Sequence, residues 1–443
     1  MNSSKRLILW LSLGLALLFW LGPNRCDPGP IQKSDIEKFQ AMLADLDAAK
    51  TENQKLDVVD SFFKEIDYSG GFPIIAGDEV TFVYLQEYGV NAPISVAGDF
   101  NDWNPQTNIM TQSKNFYLFY GTVSIKNPLQ RLKYKFAGSD SAGAELWLRD
   151  PMARRFQYDS FGEYSLIYGG ADQSHLERYL NFHANQLNND RNLYLYIPKG
   201  YYFDNADYPV LYMHDGQNLF DPEAFWGGWK ADQVADQMID QRKMEKIIMV
   251  GIANTPDRMD EYTQTKDLAM QGGDADQYAD LVVNQIKPFI DGKYQTSPDR
   301  DHTAIIGSSL GGLISYYIGY YYPNIFAQVG GMSSTFGWGS IILNNTTLIQ
   351  TFEAGSKQDI AYYLDCGGDD GGGCYDRDDD GVWDDNPDAD DNYCETLQMK
   401  TVLQDKGYKE GQDLFYYYDP NAPHNEESWS NRLDVPFTAF FGR

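Results

Sequence analysis

Three patterns of apolar and polar residues follow one another along the chain. Ile36, Phe39, Met42, Leu43 and Leu46 fall at helical spacing behind Ser34 as a cap. After a polar break, Leu56, Val59, Phe62, Phe63 and Ile66 continue the pattern, and Gly70-Gly71-Phe72-Pro73 ends it. This predicts a helical lead-in over residues 27–73. Between 74 and 170 the period shortens to two. Val80–Leu85, Ile94–Ala97, Phe116–Ser124 and Leu132–Ala137 alternate between turn residues, the signature of an all-β sandwich. From 171 to 443 apolar runs at Leu193–Ile197, Val210–His214, Ile247–Ala253, Ala304–Gly307, Val329–Met332, Ala361–Leu364 and Leu414–Tyr418 alternate with helical stretches. That alternation predicts a mostly parallel sheet flanked by helices. No repeat of solenoid length is visible.

One of these strands runs into a motif. Ala304-Ile-Ile-Gly307-Ser308-Ser309-Leu310-Gly311-Gly312 places Gly-x-Ser-x-Gly between a β-prone run and a helix-like one, the setting of a nucleophile elbow. The turn is so tight that the positions two before and two after the serine must be nearly free of side chain. Ser309 is the expected nucleophile. A serine needs a base, and the base needs an orienting acid, in the chain order Ser, Asp/Glu, His. Of five histidines, only His424 follows Ser309, in a loop just beyond the last predicted strand, so it is the expected base. The acid is expected after Ala361–Leu364, where Asp365, Asp369 and Asp370 crowd one turn. Two backbone N–H groups must face the developing oxyanion. Leu310 is one expected donor. The other is Gln217, in the loop after Val210–His214, where Gly216 permits a close backbone approach. His214 precedes the elbow and reads as a structural histidine.

Composition narrows the picture further. A formal net charge of −29 makes nucleic acid a poor partner, since its binding draws on Lys and Arg contacts to phosphate. No histidine pair has the spacing of a zinc hydrolase, and no cofactor is expected for catalysis. Lys5 and Arg6 precede an uncharged run from Leu7 to Leu21, so residues 1–26 read as an export signal or N-terminal anchor. A secreted, periplasmic or cell-surface location is expected, with membrane contact only through this segment or Cys26. Cys26 invites lipidation, but Arg25 before it departs from the small residue such processing favours. Cys374 and Cys394 are expected to pair across an acidic insertion at 366–394. Within it, Asp376-x-Asp378-x-Asp380-Gly381 matches the first half of a calcium loop. Asp376, Asp378, Asp380, the carbonyl of Val382 and Asp384 are the expected ligands of a structural Ca2+. Pro387 stands at the twelfth position instead of Glu, which leaves closure to Asp388, Asp390 or Asp391.

The segments Tyr212–Phe220, Val250–Asn254 with Arg258, Glu261 and Tyr262, Ala304–Leu313, and His424 with Trp429 and Arg432 together resemble the esterase D / enterochelin-esterase-like family, which includes feruloyl and acetylxylan esterases. The resemblance implies an α/β-hydrolase fold and hydrolysis of carboxylic esters. Among the three candidate acids it favours Asp370, by its spacing after Gly367, with Asp365 the main alternative. It implies that Trp229 and Trp338 line an acyl pocket and that Arg258 and Glu261 pair to brace a loop. Gly98-Asp-Phe-Asn-Asp-Trp103-Asn-Pro105, with Lys135 and Trp147, resembles the early-set module related to glycogen-binding domains. That module is an immunoglobulin-like β-sandwich, separate from the hydrolase, and the resemblance implies a sugar held by Trp103, Lys135 and Trp147. The expected function is an exported serine esterase acting on acyl or feruloyl groups of a small-molecule or polysaccharide carbohydrate. A siderophore or small-acyl esterase and a catalytically silent glycan-binding surface protein are the alternatives.

Overall fold

Apolar spacing in the lead-in produces two helices, Lys33–Ala48 and Glu52–Tyr68. Ser34 lies inside the first of them. The second opens on a reciprocal cap between Thr51 and Gln54. The computed structural model describes residues 33–368, 373–384, 391–420 and 422–443. The export segment, Cys26, Asp369, Asp370, Pro387, Asp388 and Asp390 therefore lie outside the described residues. The helices bury Phe39, Phe62, Phe63 and Ile66 against Phe72, Ile74, Val83 and Leu118, each large side chain contributing roughly 1.5–3 kcal/mol.

Those last residues belong to a β-rich segment. Its strands are β1 (Ile74–Ala76), β2 (Glu79–Leu85), β3 (Asn91–Gly98), β4 (Thr111–Gln112), β5 (Leu118–Ser124), β6 (Lys133–Ser139), β7 (Glu145–Leu148), β8 (Arg155–Asp159) and β9 (Gly162–Leu166). One sheet has the order β1-β2-β5-β4. Val80, Phe82 and Tyr84 on it face Ile94, Val96, Tyr134 and Phe136 on the other layer, as sandwich alternation requires.

The second layer does not end at the sandwich. Strands β10 (His175–Ala184), β11 (Asn189–Ile197), β12 (Val210–His214), β13 (Ile248–Ile252), β14 (Thr303–Ser308), β15 (Gln328–Met332), β16 (Ala361–Cys366) and β17 (Leu414–Tyr418) follow. They form the order β17-β16-β15-β14-β12-β13-β11-β10, which continues through β8-β9-β6-β3, with β7 also paired to β6, as one 13-stranded sheet. The join pairs Phe156 with Leu176 and Arg155 with Glu177. The expected separate sandwich domain is thus corrected to a sandwich that shares its sheet with the catalytic half. The connecting strand β10 escapes the sequence pattern because charges occupy buried positions. Glu177 is matched by Arg155, and Arg178 by Glu163, so the strand reads as polar.

Strands β12 to β17 run parallel, and β10 and β11 antiparallel. The helix Leu310–Tyr321 packs on β14 and β15. The carboxyl ends of β12, β14, β15 and β16 therefore share one edge, where the site lies. Cys374 and Cys394 form a disulfide, and Cys366 is a buried free thiol. Among the described residues no helix is long and apolar enough to cross a membrane.

Candidate active site

Strand β14 ends at Ser308, and the helix begins at Leu310. Between them Ser309 has φ 54° and ψ −123°, a backbone conformation that few side chains tolerate. A Cβ at Gly307 would lie 2.5 Å from the carbonyl carbon of Gly311, so the pentapeptide's first glycine is fixed by sterics. A Cβ at Gly312 would collide with Ser334 Oγ, whereas one at Gly311 would come no nearer than 3.3 Å to His214 Cβ. The hydroxyl of Ser309 stands partly exposed, 3.4 Å from Thr335 Oγ1. Leu310 opens the helix, where the first backbone N–H groups have no intrahelical partner.

His424 follows β17, and its ring is 30% exposed. It meets Trp429 edge-on, with centroids 5.0 Å apart. Its Nδ1 lies 2.8 Å from Oδ1 of Asp391, which is wholly buried. Asp391 Oδ2 accepts hydrogen bonds from the Gly367 N–H and, at 2.8 Å, from Ser333 Oγ. Ser333 Oγ in turn accepts from Trp429 Nε1 and Arg432. Asn392, the next residue, donates to the Ser333 carbonyl at 2.7 Å and to Thr335.

The acid turn thus differs from expectation. Asp365 is at the end of β16, but both its oxygens are engaged elsewhere, by Arg432 at 2.9 Å and by the Tyr363 hydroxyl at 2.7 Å. Burial pushes its carboxyl upward against the pull of Arg432. Asp370, the favoured acid, and Asp369 lie outside the described residues. The carboxylate on the histidine is Asp391, which the sequence reading had offered only as a closing ligand for calcium. The Gly367 N–H and His424 both meet Asp391, so the carboxylate expected shortly after Gly367 comes instead from near the far end of the insertion.

The loop after β12 is fixed by charge. Asp215 has φ 55°, and its carboxylate is gripped by Arg258 at 2.7 and 2.8 Å and by Asn254 at 2.6 Å. Burial opposes its ionisation, but Arg258 and Asn254 outweigh burial and hold it below the usual range. The expected Arg258–Glu261 pair is therefore corrected. Glu261 binds Arg191 instead, at 2.8 and 3.0 Å. A Cβ at Gly216 would lie 2.5 Å from the Gly251 carbonyl carbon, so this loop presses onto β13. Gln217 Oε1 accepts from the Asn254 N–H, which sets the orientation of the neighbouring backbone. His214 is 1% exposed, bonds Tyr278 through Nδ1, and is pushed by burial down to about 3.

Trp229 and Trp338 are each 2% exposed and belong to the two apolar cores. Trp338 donates to the Thr265 carbonyl. Both are core residues, which corrects their assignment to a pocket wall. Trp103 and Trp147 do meet on the sandwich, with centroids 6.0 Å apart and Trp147 40% exposed. The ammonium of Lys135 is directed to the Phe161 carbonyl at 2.8 Å. In the insertion, carboxylate oxygens of Asp376, Asp378 and Asp384 lie within 4.8 Å of one another. Asp380 is outside that group; its Oδ1 accepts from the Val382 N–H. Val382 itself is buried in the core.

A mixed sheet with an elbow serine and a histidine–carboxylate pair at its carboxyl edge defines an α/β-hydrolase-like fold. Residues 184–440 match the Esterase family, described as "Putative esterase", and the chain belongs to that family. Over 153 residues it is 27% identical to uncharacterized protein YbbA of Bacillus subtilis, covering 33% of this chain and 58% of that protein. Over 150 residues it is 23% identical to uncharacterized protein YjcH of the same organism, covering 33% and 57%. The matched region thus spans less than two thirds of these relatives' lengths. Among solved structures, a ferulic acid esterase is similar at 19% identity and TM-score 0.45, over 60% of this chain and 98% of that one. The enterobactin esterase FES of Shigella flexneri is similar at 14% identity and TM-score 0.45, over 82% and 93%.

Proposed function

We propose that the protein is a serine carboxylesterase working through Ser309, His424 and Asp391. The observation that carries this is the His424–Asp391 hydrogen bond on the sheet edge that also bears the elbow. A carboxylate on Nδ1 holds the proton there and leaves Nε2 free to act as base. Ser309 Oγ attacks the ester carbonyl while Nε2 takes its proton. The N–H groups of Leu310 and Gln217 receive the oxyanion. Collapse expels the alcohol, which regains its proton from His424, and leaves an acyl-serine. Water attacks the acyl-serine in turn, giving up a proton to His424. The acid is released and Ser309 regains its hydrogen. Replacing Ser309 by Ala should abolish cleavage of a short aryl ester; equal rates in the two proteins would overturn the reading.

The substrate we infer is an acyl or feruloyl ester of a carbohydrate. The paired Trp103 and Trp147 offer an apolar surface of the kind that sugar faces stack on. A net charge of −29 disfavours anionic ligands such as catecholate siderophores, which ranks the siderophore alternative lower. Residues 1–26 would direct export. Asp376, Asp378 and Asp384 supply hard oxygen donors that suit Ca2+. Such an ion would brace the insertion and has no part in the chemistry. Binding of the protein to xylan or starch gels, lost on Trp103→Ala, tests the sugar surface.

A further inference from the structure

A second aromatic pair stands beside the site. Phe225 and Trp226 are 87% and 66% exposed, and their rings meet edge-to-face with centroids 4.8 Å apart. Two large exposed aromatics side by side are unusual on a surface with no partner. Their loop is also well anchored. It leaves the oxyanion loop after Asn218 and is fastened back to it by the Trp229 N–H on the Asn218 carbonyl, at 2.8 Å. The Trp229 carbonyl accepts a 2.7 Å bond from Ser430 on the helix that follows His424. Gly227 backs onto Glu426, two residues past the histidine; a Cβ built there would lie 3.8 Å from Glu426 Cβ. The rings are therefore carried between the oxyanion loop and the histidine loop, on the histidine's flank.

That flank has a chemical meaning. The histidine returns its proton to the departing alcohol, so the alcohol half of an ester must lie on the histidine's side. The surroundings specify what kind of alcohol. Asp221 and Glu223 sit on the same loop, and Glu426 faces it. Carboxylates accept hydrogen bonds from hydroxyl groups and repel anions. Apolar rings bordered by carboxylates suit an uncharged ring with hydroxyls at its rim and C–H groups on its face.

We propose that Phe225 and Trp226 form a leaving-group subsite that holds the sugar ring of the ester. The proposal rests on the serine-esterase reading of the same site and adds to it which half of the substrate is recognised there. A leaving-group subsite acts in acylation and is empty during deacylation by water. It is occupied again when a sugar, instead of water, accepts the acyl group.

The test compares the Phe225→Ala/Trp226→Ala double variant with the parent. Two ester pairs that share an acyl group are used: ethyl acetate with an acetylated methyl xylopyranoside, and ethyl ferulate with feruloylated arabinose. The variant should lose about tenfold in kcat/KM on the sugar esters and keep its rates on the ethyl esters. Acyl transfer to added xylobiose, measured against hydrolysis, should fall by a similar factor. Equal losses on sugar and ethyl esters, or no loss on either, would overturn the proposal. Activity that survives Ser309→Ala would instead overturn the esterase reading, so the two failures are distinguishable.

Discussion

His424 Nδ1 lies 2.8 Å from Asp391 Oδ1, across 33 positions of sequence. The proposed acid stands near the far end of the acidic insertion, three residues before Cys394 of the Cys374–Cys394 disulfide.

Exchange of the acid is the sharpest check. Asp391→Asn keeps the shape but no longer holds the proton on Nδ1. It should lower kcat by about 10⁴ with little change in KM. Asp370→Asn should leave kcat near that of the parent. Steady-state kinetics on one aryl ester decide between them, and the reverse ranking would reject Asp391.

Arg432 is the hub beneath the acid, 2.9 Å from Asp365 and 3.5 Å from Asp391. Arg432→Met strands two buried carboxylates. It should cost roughly 3–5 kcal/mol in urea unfolding. Adding Asp365→Leu should recover part of that loss, because one stranded charge disappears. A single variant as stable as the parent would contradict this account of the network.

The insertion should couple stability to activity. Chelation of a bound ion at Asp376, Asp378 and Asp384 should lower the melting temperature, and added Ca2+ should restore it. Reduction of the disulfide, whose cysteines are 20 positions apart, should remove about 3 kcal/mol. It should also depress kcat more than it depresses binding, because Asp391 loses its anchorage. Melting curves that ignore both chelator and ion would argue against the metal.

A pH effect should come from Asp232, at the start of the helix Ala231–Asp240. Burial first, and then the neighbouring Asp236, push its carboxyl up to about 7. One of its oxygens has no hydrogen-bond partner. The folded state therefore holds this proton above pH 4, where the unfolded chain has released it. Stability should fall as pH rises from about 4 to 7, by a few kcal/mol at most. Asp232→Asn should flatten that slope and raise the melting temperature at pH 7. An unchanged slope in thermal melts would refute the assignment.

The elbow was readable in the sequence because sterics leave few residues that fit it. Gly307 is required by a 2.5 Å approach to Gly311, and any chain making this turn must show it. His424 was readable by elimination. Asp391 was not, because spacing rules count along the chain and the insertion places the acid far from the strand it serves. The partners of Arg258 and Glu261 were mistaken as well. The family resemblance implied that they pair with each other, whereas Asp215 and Arg191 reach them from elsewhere. For Trp229 and Trp338 composition has no vote, since a tryptophan reads alike in a core and in a pocket. The strand β10 was hidden by buried charges whose partners lie on other strands.

The Phe156–Leu176 pairing joins the sandwich to the catalytic sheet and so fixes one relative to the other. A binding module on a flexible tether searches a volume and raises local concentration. A module hydrogen-bonded into the enzyme's own sheet searches nothing. On the proposed sugar reading it would work as a ruler, presenting a chain held at Trp103 and Trp147 at one set distance and heading from Ser309. Cutting it away would also bare the edge of β10, an invitation to aggregation.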